Sequence, residues 1–223
     1  MAGATYGDVR AQADRPGGSS LDEALIPSGS RWNHNIHYHS RILRVVPKGA
    51  QRALDVGCGE GMLARELRRA VPYVTGIDLH GPSLDQAREH PGDVEYILGD
   101  FLTHPFEPAS FDVVASVATL HHMDAATGLA RMRDLLRPGG VLCVVGLARS
   151  TVPYDLPCDL AGVVVGALHR AAKGYWQHPS PIVWPPPVTY AQMRALTAEI
   201  LPGSRYRRHL LFRYSITWRK PQH

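Results

Sequence analysis

A chain of 223 residues, 44% hydrophobic and 20% charged, suits one α/β domain with a tail or a small insertion. Its net charge of +4 is mild and its basic residues are spread out apart from Arg205, Arg207 and Arg208, a trio that reads as the wet side of a strand, so nothing demands nucleic acid. The longest apolar run, Ala161 to Leu168, falls well short of the ~20 residues of a membrane span.

The cysteines Cys58, Cys143 and Cys158 show no CxxC spacing and read as reduced thiols. The N-terminus lacks the charged-then-apolar order of a signal peptide. The expectation is a cytoplasmic protein with neither a nucleic-acid nor a membrane partner.

Residues 1–30 hold Gly, Ser, Pro, Asp and Arg without a sustained period, which predicts a flexible arm with one short helix near Leu21 to Leu25. Residues 31–223 form the domain. Arg31 to His39 is dense in aromatic and imidazole groups, and a helix should continue through Ile42, Leu43 and Val46 until Pro47. His34, His37 and His39 have no second cluster of Cys, Asp or Glu beside them, so no metal site is expected. The segment reads either as a lid that sets rings over a ligand or as an N-terminal helix packed on the domain.

Arg52 to Val56 is a short apolar strand, Gly57 to Gly61 a glycine-dense turn, and Met62, Leu63 and Leu67 open a helix. Such a corner lets backbone N–H groups and a helix N-terminus approach a ligand with no Cβ in the way. A second strand, Tyr73 to Ile77, ends at Asp78-Leu79-His80, and Ser83 with Gln86 predicts a capping box for the next helix. A third strand, Val94 to Leu98, ends at Gly99-Asp100-Phe101. Phe111 to Val117 is a continuous apolar run, as in buried parallel strands, and leads into Leu120-His121-His122. Leu129, Met132 and Leu136 mark a helix face stopped by Arg137-Pro138-Gly139-Gly140, and Val141 to Gly146 is the fifth strand.

From 147 to 188 the rhythm breaks. A helix is expected over Asp159 to Ala172, followed by irregular aromatic stretches around Tyr175, Trp176 and Trp184, together a cap-like insertion over the strand ends. Thr189 with Gln192 predicts another capping box, and Pro202-Gly203 ends that helix. Arg205 to Leu210 and Phe212 to Trp218 alternate with no room for a crossover, so the two strands must be antiparallel. Strand–helix alternation predicts a parallel sheet with helices on both faces and its ligand at the carboxyl ends of the strands.

The glycines are spaced GxGxG, with Met62 where a dinucleotide site has its later glycine, and no lysine follows for a P-loop. Asp78 suits a ribose with both hydroxyls free, and Asp100 could accept from an adenine amine. Five pieces in order then resemble the class I S-adenosylmethionine-dependent methyltransferases of small-molecule type. They are Leu54-Asp55-Val56-Gly57-Cys58-Gly59-Glu60-Gly61, Gly76-Ile77-Asp78, Gly99-Asp100-Phe101, Phe111-Asp112-Val113-Val114 with Leu120-His121-His122, and Leu135 to Gly140. The resemblance covers residues 31 to 146.

The resemblance implies a Rossmann-like, seven-stranded, mostly parallel sheet with an antiparallel C-terminal strand inserted beside its neighbour. It implies S-adenosyl-L-methionine as cofactor, with Gly57, Cys58 and Gly59 lining the methionine moiety and Asp55 anchoring the turn or the amino group. Asp78 would hold the ribose diol, Leu79 would pack on the adenine, and Asp100 and Phe101 would flank it. Ser116 and Val117 would lie beneath the sulfonium.

Methyl transfer is an in-line displacement, so the protein mainly aligns reactants and excludes water. His121 or His122 is expected to orient or deprotonate an acceptor hydroxyl, with Tyr38 and His37 as the next candidates. The expected activity is methyl transfer to an O or N atom of a small, partly apolar acceptor. The alternatives are a cofactor-binding enzyme with other chemistry, such as a cyclisation, and, more remotely, an NAD-dependent oxidoreductase.

Overall fold

A computed structural model describes residues 32–174, 176 and 183–222. The expected arm over 1–30, and Tyr175 of the aromatic insertion, lie outside the described residues.

Seven strands form one sheet in the order β3-β2-β1-β4-β5-β7-β6. They are β1 (Arg52–Val56), β2 (Tyr73–Asp78), β3 (Glu95–Leu98), β4 (Phe111–Val117), β5 (Leu136–Gly146), β6 (Arg205–His209) and β7 (Arg213–Arg219). Strands β1 to β5 pair in parallel, while β7 runs antiparallel between β5 and β6. The helices are α1 (His39–Leu43), α2 (Met62–Arg68), α3 (Gly81–Glu89), α4 (Ala125–Leu135), α5 (Leu156–Lys173) and α6 (Tyr190–Ile200).

The apolar runs are continuous because both faces of the central strands are covered. Leu54, Val56, Val114, Leu142 and Val144 point to one core, shared with Leu129 and Met132 of α4 and Met193 of α6. Their neighbours Ala53, Val113, Ala115, Cys143 and Val145 point to the other, shared with Ile42 of α1 and Leu63 and Leu67 of α2. The strand order reverses at β1, whose neighbours are β2 and β4: β2 and β3 are added on one side, β4 and β5 on the other. That switch point opens a crevice at the carboxyl ends of β1 and β4.

Three local expectations change. Helix α4 stops at Leu135, and Leu136 opens β5 opposite Phe111. Lys220 takes over there: its Nζ donates to Leu136 O at 2.7 Å and to Arg133 O at 3.2 Å, satisfying carbonyls at the helix end. The capping box at Ser83 does not form. Helix α3 begins after His80, and Ser83 lies inside its first turn, with Oγ 2.8 Å from His80 Nδ1. The segment after Trp32 is a 3-10 turn (Ile36–Tyr38) running into the five-residue α1. The Thr189 capping box forms as expected, with both arms in place at 3.2 and 2.9 Å.

Candidate active site at the carboxyl edge of the sheet

The corner after β1 is built from left-handed backbone. Gly57, Gly59 and Gly61 have φ of +71°, +52° and +70°, a region where a Cβ is strained. The N–H groups of Gly57 and Cys58 both donate to Ile77 O, at 2.8 and 3.2 Å, and Gly61 N–H donates to Cys58 O at 2.9 Å. The space is as tight as the backbone. A Cβ on Gly57 would fall inside the Thr119 side chain, and one on Gly61 would meet the Tyr96 hydroxyl. Gly76 is small for a related reason, since a Cβ there would press on Cys58 Sγ.

Asp78 is tied to this turn across the sheet. Its Oδ2 accepts from Gly59 N–H at 2.8 Å, and its Oδ1 accepts from His80 N–H at 2.8 Å. Each oxygen keeps a second lone pair for a ligand hydroxyl. Asp55 is 1% exposed, and its Oδ2 has no hydrogen-bond partner. Burial, with Asp78 adding repulsion, pushes the Asp55 carboxyl up to about 8.

Asp100 Oδ1 accepts from Leu102 N–H at 2.8 Å. Leu79 is 53% exposed beside Asp78, an apolar surface with nothing over it. Phe101, expected as an adenine flank, has its ring buried in the core, with the Arg131 guanidinium 5.6 Å from its centroid. Ser116 is fully buried and spends its hydroxyl on Val56 O at 3.0 Å across the sheet, so it fastens β4 to β1. Val117 packs at the edge of the second core. Ala118 then turns the chain at φ +54°, and Thr119 Oγ1 stands 3.1 Å from Val117 O and 3.4 Å from Gly57 O.

His121 and His122 follow in a 3-10 turn, ring centroids 4.1 Å apart. His121 is buried, its Nδ1 without a partner, and burial holds its pKa down at about 3, with His122 and Arg213 adding to the shift. His122 lies at the exposed rim yet is ringed by protein groups. Desolvation lowers its pKa while nearby Asp78 pulls it up.

The histidine-rich segment packs on α5 and on the β6–β7 turn. The Trp32 ring stacks on His169 of α5 at 5.1 Å, and His37 meets the same imidazole edge-on at 5.2 Å. Tyr38 is buried and donates its hydroxyl proton to Leu210 O at 2.5 Å. The phenol's single donor thus braces the segment. His39 Nδ1 lies 3.3 Å from Glu66 Oε2 on α2. Arg213 reaches back to Asn35 Oδ1 at 2.8 and 3.1 Å and to the carbonyls of Leu211 and Phe212, residues held at φ +60° and +58°. Among the described residues no group of three His, Cys, Asp or Glu could hold a metal ion.

Sequence reasoning missed Thr119 and Tyr96, the two side chains that make Gly57 and Gly61 obligatory. They lie 62 and 35 positions from those glycines, and no local pattern announces such contacts. It also missed Arg213, which is 178 positions from its partner Asn35.

Comparison with known proteins shows the family. Residues 54–144 match the family described as "Methyltransferase domain". An uncharacterized methyltransferase of Mycobacterium tuberculosis is 40% identical over 193 residues, 85% of this chain and 98% of that protein. The ubiquinone biosynthesis O-methyltransferase of Xylella fastidiosa is 35% identical over 141 residues, 60% of this chain and 57% of the relative. Among solved structures, phosphoethanolamine N-methyltransferase 2 of Haemonchus contortus, bound to S-adenosylhomocysteine, superposes with a TM-score of 0.59. That likeness, at 18% identity over 86% of this chain and 53% of the other, concerns the fold.

Proposed function

The chain belongs to the class I S-adenosylmethionine-dependent methyltransferases, and on that premise we propose that it methylates an oxygen or nitrogen atom of a small, partly apolar acceptor. When bound, S-adenosylmethionine supplies a methyl group already activated by positive sulfur. The protein's part is to bind, align and exclude water.

The donor set fits that cofactor. Asp55 is a buried carboxyl with an unpartnered oxygen, and its ionisation there calls for a cation, which the ammonium of the amino-acid tail would supply. Asp78 faces the ribose diol with its free lone pairs, Leu79 offers a surface to the adenine, and Asp100 accepts from the adenine amine. The left-handed turn from Gly57 to Gly59 leaves room for the tail.

The observation that carries the acceptor half is the His121–His122 pair, two imidazoles whose pKa values are lowered at the end of β4. A neutral imidazole accepts a hydrogen bond from a hydroxyl or amine. With its pKa near 3, His121 is a poor proton acceptor, so the pair orients the acceptor, with His122 at the rim as the group that meets it. The relative named as an O-methyltransferase supports the oxygen or nitrogen assignment. The described part of residues 147–188 would serve as the cap of the acceptor pocket, and the aromatic composition of the segment favours an apolar portion in the substrate. Three free thiols suit the reducing cytoplasm.

The test is release of S-adenosylhomocysteine across phenols, carboxylic acids, amines and quinone-like compounds. Methylated product must accompany it; release without methylated product would turn the assignment toward other chemistry. In the same assay His122→Ala lowers kcat about tenfold or more by loss of alignment. Unchanged kcat in both His121→Ala and His122→Ala removes the histidine role.

Asp55 makes binding a proton-linked event. Its folded-state value near 8 lies above the ordinary 3.8. Its contribution to stability is therefore full below about pH 4 and is lost as pH rises toward 8. Near pH 7 the unliganded carboxyl is protonated, and pairing with an ammonium ionises it. Calorimetry in buffers of different ionisation enthalpy should show up to about one proton released per S-adenosylmethionine at pH 7, fading above pH 9. Asp55→Asn abolishes that release; release persisting in the variant refutes it.

A further inference from the structure

We infer that the outer face of α5 docks the protein onto an anionic phospholipid surface. Leu156, Leu160, Val163, Val164 and Leu168 follow one another at helical spacing, and each is 45% to 65% exposed. Tyr154 before the helix and Trp184 after it are 86% and 71% exposed. Large apolar side chains gathered on one side of a protein mark an interaction face.

The helix meets the body through a different side. Gly162 and Gly166 are its buried residues, Gly162 facing Leu211 and Phe212 and Gly166 facing Leu211 and His34. The glycines bring the helix axis close to the β6–β7 turn, which leaves the bulky residues pointing away. Its acids are turned out of the outer face too. Asp159 Oδ1 accepts from Arg208 Nη2 at 2.6 Å, and Asp155 lies 4.0 Å from Arg208 Nε while accepting from Thr151 N–H.

Charge selects the occupant. From Leu160 to Ala167 the helix has no charged residue, while the exposed Arg170 and Lys173 lie in its last turn. An apolar stripe ended by cations and flanked by Tyr and Trp fits headgroups of negative charge over an acyl boundary. An acidic protein helix would ask for cations spaced through the stripe, and these are absent. No helix among the described residues is long and apolar enough to cross a membrane, so α5 lies on the surface. The expectation of no membrane partner rested on the want of a spanning segment, which surface docking does not need.

The test uses the full chain with no acceptor, so its outcome is separate from that of the methyl-transfer reading. Vesicles of phosphatidylcholine with phosphatidylglycerol are expected to sediment the protein and shift Trp184 emission to the blue, and pure phosphatidylcholine vesicles are not. Leu160→Gln/Val164→Gln weakens partitioning about tenfold or more through lost apolar burial. Arg170→Gln/Lys173→Gln weakens it and flattens its salt dependence. Circular dichroism and S-adenosylmethionine affinity should stay unchanged in both variants. Equal sedimentation with and without phosphatidylglycerol overturns the inference. So does a concentration-dependent dimer that Leu160→Gln/Val164→Gln splits, which would give this face to a second copy.

Discussion

Asp78→Ala should lower the affinity for S-adenosylmethionine by about a hundredfold or more, with the fold retained. Two effects act together. The carboxylate is the proposed holder of both ribose hydroxyls, and each hydrogen bond to a charged acceptor contributes about 1.5–3 kcal/mol. It also orients Gly59 and His80 through their N–H groups at 2.8 Å, so its loss loosens the turn proposed to hold the amino-acid tail. A loss of about 3 kcal/mol is already more than a hundredfold in binding. Asp78→Asn separates the parts, because its amide nitrogen cannot accept from a backbone N–H. Calorimetric titration measures both variants, and an affinity for Asp78→Ala within threefold of the parent would refute the assignment.

Gly57→Ala is expected to be the most damaging single methyl in the chain. At φ +71° the left-handed conformation costs an alanine about 1–2 kcal/mol. The new Cβ also enters the volume of Thr119, and overpacking of this kind costs about 1–3 kcal/mol. The combined loss, about 3 kcal/mol or more, lowers Tm by roughly 6–12 °C for a chain of this length. Thr119→Gly in the same chain should recover the steric share and leave the backbone share. If the double variant melts no higher than Gly57→Ala, the contact is not the cause.

Much of this was legible in the sequence because it rests on short-range rules. Glycine spacing, apolar runs of strand length, and an acid at the end of β2 act within a few residues, so the parallel sheet and the glycine corner could be read directly. The antiparallel β6–β7 pair followed from the lack of chain for a crossover. The site itself was only half legible. Asp55 was marked by its motif, but its unpartnered oxygen depends on what packs around β1.

Elsewhere residue type left the contacts open. Phe101 stands in the motif as a possible adenine flank, yet its ring belongs to the core. Tyr38 carries a usable hydroxyl that the fold commits to Leu210 O. Helix α5 has the composition of a buried helix, but its two glycines face inward and Leu156, Leu160, Val163, Val164 and Leu168 face water. By itself the sequence determined the order of strands and helices and the glycine corner, and it singled out Asp78 and Asp100 as the proposed cofactor acids, because these follow from spacing and side-chain type. Only the tertiary structure decided which donors are spent, which carboxylate is left without a partner and which apolar face stays uncovered. Those depend on contacts between residues far apart in the chain, and burial is a property of the assembled fold.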